Sequence, residues 1–125
     1  MLDAHFILLH VESPAESARF YAGLLGREPA EETPTFAMFP LPSGIRLGLW
    51  SRHTVEPVAT TTGGAAEIAM MVGSAVAVDE TCADWRTRGV TILQEPTDLD
   101  FGRTFTVRDP DGHRLRVFWP FPDEG

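Results

Sequence analysis

The sequence predicts an α+β fold: two tandem β-α-β-β-β modules forming a curved mixed sheet around a cavity. Two observations carry the prediction. Short apolar runs rich in strand formers alternate with two capped helical segments, and the order of elements in the first half begins again in the second. Module one covers about residues 1–52, a linker about 53–64 and module two about 65–125, within a single domain of 125 residues.

Phe6 to Val11 is too short for a helix and reads as the first strand. Ser13-Pro14-Ala15-Glu16 follows, with serine at the N-cap, proline at the first helical position and a carboxylate at N3. Ala18, Tyr21 and Leu25 recur at helical spacing, and Gly26 stands where a left-handed residue ends a helix. Pro29 blocks continuation. Thr35 to Phe39 and Ile45 to Trp50 read as strands around the turn Pro40-Leu41-Pro42-Ser43-Gly44.

Arg52 to Gly64 is polar, carries Pro57 and four threonines, and is long enough for a junction or a functional loop. Glu67 to Val72 is strand-like. Ser74 is placed to cap a helix running through Arg88, with Val78, Cys82 and Trp85 on one face and Gly89 as the stop. Val90 to Leu93, Arg103 to Val107 and His113 to Trp119 read as strands, with Asp109-Pro110-Asp111-Gly112 as a tight turn.

The duplication reaches individual residues. Gly26-Arg27-Glu28-Pro29 follows helix one as Gly89 and Glu95-Pro96 follow helix two. Gly44-Ile45-Arg46-Leu47 and Gly112-His113-Arg114-Leu115 open the last strand of each half, and each of those strands carries a tryptophan near its end, Trp50 and Trp119.

Composition narrows the function classes. A net charge of −8 argues against nucleic acid, whose phosphates demand a basic face, and against an anionic membrane surface. No apolar run approaches the ~18 residues of a membrane span, and Met1 to His5 lacks a signal-like start, so a cytoplasmic location is expected. The single cysteine, Cys82, has no internal disulfide partner and is expected to be a buried small hydrophobe. Phe20, Tyr21 and Trp85 are expected in the core.

The duplicated unit, with Phe20-Tyr21, Leu24-Leu25-Gly26 and Asp109-Pro110-Asp111-Gly112-His113, resembles the vicinal oxygen chelate superfamily of glyoxalases, bleomycin resistance proteins and dioxygenases. Trp50-Ser51, Glu56-Pro57-Val58-Ala59, Glu95-Pro96 and Phe101-Gly102-Arg103-Thr104-Phe105 are similar to segments of its phenazine antibiotic resistance proteins. That likeness implies a homodimer binding a phenazine in an aromatic cavity without metal.

Enzymes of the superfamily place His or Glu metal ligands on four inward strand positions. The resemblance sets these at Phe6, at or near Gly48, at Glu67 and at Arg116; His5, one residue off, points to the opposite face. Such a set lacks the roughly three donors a divalent ion needs, so no metal and no cofactor are expected. Glu67 and Arg116 would instead face each other as a charge pair, unless one or both point into solvent. No Ser-His-Asp or Cys-His arrangement can be argued, and no catalytic residue is assigned.

The candidate ligand-binding residues are Trp50, Phe105, Phe101, Arg103, Phe6, His10, Phe36, Glu67 and Arg116. Trp50 ends a strand at the polar linker, where an indole stays partly exposed unless covered. His10 shares the parity of Phe6 and Leu8 and serves either as a ligand hydrogen-bonding group or as cavity lining. Phe101 and Phe105 bracket Gly102, which permits close backbone approach. Arg46, Arg103, Arg114 and Arg116 are the arginines able to meet a ligand carboxylate. The expected function is metal-free sequestration of a planar aromatic compound, phenazine-like, giving resistance. The alternatives are a metal-dependent lyase, thiol transferase or dioxygenase, or a small interaction domain whose cavity its own side chains fill.

Overall fold

The computed structural model describes residues 1–122. It divides into two compact units, Met1–Thr62 and a second beginning at Gly63. Among the described residues, no helix is long and apolar enough to cross a membrane.

The first unit contains β1 (Phe6–Val11), α1 (Pro14–Leu25), β2 (Glu31–Thr33), β3 (Phe36–Pro40) and β4 (Arg46–Ser51). Its open sheet has the order β1-β4-β3-β2, with β1 parallel to β4 and the other pairs antiparallel. The Ser13 hydroxyl accepts the Glu16 N–H at 3.2 Å, and Gly26 closes the helix at φ 67°, donating to the Ala22 carbonyl. Helix α1 packs on β3 and β4. Alternation in those strands sends Ala37, Phe39, Leu47 and Leu49 to that side, all buried with Val11, Ala18 and Tyr21. β2 is an addition to the strands read from sequence.

The second unit repeats this plan with β5 (Glu67–Met71), α2 (Ala75–Thr87), β6 (Thr91–Asp98), β7 (Gly102–Arg108) and β8 (Arg114–Pro120), in the order β5-β8-β7-β6. Ser74 caps α2 by accepting the Ala77 N–H at 3.0 Å. Val78, Cys82 and Trp85 are buried, as expected from their spacing, and burial pushes the Cys82 thiol up from its ordinary value. The edge strand β6 runs well past Leu93, through Glu95 and Pro96, with register shifts against β7 after Ile92 and Gln94. Edge position and irregular pairing accommodate a proline that has no N–H to give.

The turn between β7 and β8 is held by Asp109, whose Oδ1 accepts the N–H groups of Asp111 and His113 at 2.9 and 2.8 Å, while Gly112 adopts φ 85°. Gly63 packs so closely on this turn that a Cβ would lie 2.6 Å from the His113 backbone nitrogen.

Registers within the two sheets correspond. Phe6 pairs with Arg46 and Leu8 with Gly48; Glu67 pairs with Arg114 and Ala69 with Arg116. Phe6 and Glu67 are therefore equivalent, as are Gly48 and Arg116. The tryptophan match shifts by one residue: Trp50 aligns with Phe118, and Trp119 with Ser51. Each last strand carries its tryptophan near the end as read from sequence, and the one-residue offset sends the two indoles to opposite faces.

Candidate functional site

In the first unit the sheet face away from the buried side is apolar. Phe6, Leu8, Phe36 and Trp50 line an open depression of about 430 Å³, within the roughly 300–1,000 Å³ range of small-molecule sites. Its floor is Gly48, where a Cβ would lie 2.7 Å from Leu8 Cδ2 and 3.0 Å from the Phe36 ring. Phe6 and Leu8 keep 45% and 46% of their surface exposed, unusual for side chains lining one apolar patch. Trp50 pairs with His10 across the β1–β4 ladder, ring centroids 6.4 Å apart and edge to face. At the other end the Arg46 guanidinium lies 5.6 Å from the Phe6 ring centroid.

On the equivalent face of the second unit the Glu67 end is polar, and Met71 and Phe118 form the other end. Arg116 donates from Nε and Nη2 to the two oxygens of Glu67 at 2.8 and 3.0 Å, so the expected charge pair forms in bidentate geometry. Arg116 Nη1 also donates to Gln94 Oε1 and Thr104 Oγ1, both at 3.2 Å. The Thr104 hydroxyl in turn donates a hydrogen bond to the Val117 carbonyl at 2.9 Å. Arg114 Nη2 is 2.8 Å from Glu67 Oε2. The hydrogen bond from Arg116 holds the Glu67 carboxyl below its ordinary range. Partial burial opposes this, and the charges of Arg116 and Arg114 add to it.

Three of the four ligand positions implied by the superfamily thus hold groups that offer no electron pair, Phe6, Gly48 and Arg116, and the fourth holds the Glu67 carboxylate, already engaged by guanidinium groups. Among the described residues, no group of three or more His, Cys, Asp or Glu is placed to hold a metal ion. This donor set does not fit a divalent metal.

Two expected site residues lie elsewhere. Phe105 is 0% exposed and packs edge to face on Trp85 of α2, ring centroids 5.4 Å apart, so it belongs to the core behind the sheet. Arg103 has the same parity, and its guanidinium is taken by Asp79 of α2 at 2.8 Å and Asp98 at 3.0 Å. The close approach at Gly102 is made by β8: a Cβ there would lie 2.8 Å from Pro120 Cα. Phe101 is partly exposed and lies edge to face with Phe118, centroids 6.1 Å apart. Leu8, Gln94 and Thr104 join the two faces without having been singled out as site residues, and Arg46, named as one of four arginines able to meet a carboxylate, borders the apolar one. Strand parity from Phe6 reaches Leu8 and the internal repeat reaches Arg46; Gln94 lies in an irregular edge strand that parity does not follow.

The profile of the Glyoxalase/Bleomycin resistance protein/Dioxygenase superfamily matches residues 4–117, and the chain belongs to that superfamily. Within it, the chain is 33% identical over 113 residues to the phenazine antibiotic resistance protein EhpR of Enterobacter agglomerans, covering 88% of this chain and 86% of that one. It is 50% identical to protein ATC0852 of Agrobacterium tumefaciens, whose solution structure superposes with a TM-score of 0.89 over 98% of this chain and all of that one. A glyoxalase-related enzyme of Fulvimarina pelagi shares the fold at 23% identity, with a TM-score of 0.85 over 100% of this chain and 96% of that one.

Proposed function

We propose that this protein binds a planar aromatic compound of the phenazine class without a metal ion, and confers resistance by sequestering it. The observation that carries the reading is the depression walled by Phe6, Leu8, Phe36 and Trp50, apolar and still open. Aromatic rings on such a face stack a flat ligand with about 0.5–1.5 kcal/mol per pair beyond the buried area. Two such contacts plus desolvation reach micromolar affinity, about −8 kcal/mol, from shape alone. Similarity to a phenazine antibiotic resistance protein supports the ligand class. A charge pair and two non-ligating residues at the superfamily's metal positions support the metal-free mode.

The working unit in this reading is a homodimer. A second copy would cover apolar side chains that one chain leaves exposed, Met71 at 66% and Phe101 at 45% among them.

Expression in a phenazine-sensitive bacterium tests the role. Raised tolerance, with the compound recovered from cells unchanged in mass and abolished by Trp50→Ala, is the expected result. Recovery of a chemically altered phenazine, or tolerance that depends on added divalent metal, would replace sequestration with an enzymatic reading.

A further inference from the structure

The arginines carried by the two sheets are not equally available. Arg103 is held by two carboxylates, and Arg114 and Arg116 share Glu67. Arg46 and Arg108 are exposed, and neither forms an ion pair among the described residues. Of these two, only Arg46 borders the apolar depression, resting over the Phe6 ring that forms its end wall. An aromatic ring holds a guanidinium in place while leaving its in-plane N–H donors unused.

We infer that Arg46 is the anion-recognition residue of this site, and that the ligand is a planar aromatic carboxylate rather than a neutral ring system. The inference rests on the phenazine-class reading above and adds the charge of the ligand and the end of the site where that charge sits. The geometry allows it. Phe6 pairs with Arg46 and His10 with Trp50, so the two ends of the face are four residues, or ~13 Å, apart along the strands. A fused tricyclic ring stacked near Trp50 would carry a peripheral carboxylate toward the Arg46 end. Guanidinium and carboxylate are matched there for a bidentate pair. The net charge of −8 makes an unpaired arginine beside an apolar depression informative, since carboxylates outnumber cations across the chain.

Isothermal titration of metal-stripped protein with phenazine-1-carboxylate and with the isosteric phenazine-1-carboxamide tests this at pH 7. The acid is expected to bind about tenfold more tightly than the amide, with the difference shrinking as salt rises. Arg46→Gln should bring the two ligands to equal affinity, Arg46→Lys should restore part of the difference, and Arg108→Gln should leave it unchanged. Equal binding of acid and amide by the unaltered protein would overturn the inference and leave the phenazine reading standing. So would a selectivity that survives Arg46→Gln or disappears in Arg108→Gln. Failure of both ligands to bind would overturn the phenazine reading and this inference with it.

Discussion

Arg116 directs its guanidinium at Glu67, Gln94 and Thr104 together, so removing one partner leaves a partly buried cation short of acceptors. Glu67→Ala should destabilise the chain by about 1–3 kcal/mol, read from urea unfolding at pH 7. The pH dependence has a definite sign. The folded carboxyl of Glu67 ionises below its ordinary value of 4.5, so its contribution is fully present above that value and fades as pH falls through the folded pKa. The stability gap between the protein and Glu67→Gln should therefore close on acidification. A gap that does not narrow at all as pH falls below 4.5 would contradict the ion pair as its source. Cys82 is buried with its thiol pushed up, and it should resist alkylation in the native protein while reacting quickly in denaturant.

At the scale of elements, Phe105 and Phe36 separate structure from site. Phe105→Ala opens a cavity under α2 and should cost about 3–5 kcal/mol, seen as a lowered unfolding midpoint. Phe36→Ala should weaken ligand binding with a smaller loss of stability, because that ring lines the open face. The elements were readable where local chemistry announces itself: Ser13-Pro14 and Gly26 bound α1, and Ser74 and Gly89 bound α2. β2 was not readable, since Glu31-Glu32-Thr33 is polar and becomes a strand by pairing with β3. The length of β6 was hidden by Pro96, a residue that ordinarily ends a strand. Phe105 was misplaced although the alternation Thr104-Phe105-Thr106-Val107 already set it on the side of Val107. The two threonines share the Arg116 face in the structure. The Glu67–Arg116 pair was legible because the resemblance to the superfamily sets two of its four inward ligand positions there. Arg46 was legible as a cation, and its isolation became visible only once the partners of Arg103, Arg114 and Arg116 were known.

For the whole molecule, the superfamily fold followed from the duplication, and the structure repeats strand order and direction in both units. Function required the faces. The same strand plan carries an apolar surface in one unit and, in the other, a surface whose Glu67 end is a hydrogen-bonded ionic cluster, which composition averages away. A homodimer is expected at micromolar concentration in light scattering coupled to size exclusion; a monomer there would contradict the proposed assembly. Metal-free binding at Trp50 is tested most directly by tryptophan fluorescence during titration of metal-stripped protein with phenazine-1-carboxylate, corrected for inner-filter absorption, beside Trp50→Ala. Trp85, on the buried face of α2, is closed to direct contact with a ligand, and Trp50→Ala separates the signal of Trp50 from that of Trp85 and Trp119. Saturable quenching without metal, weakened by Trp50→Ala, is the expected result. Binding that appears only after a divalent metal is added, or that Trp50→Ala leaves intact, would contradict it.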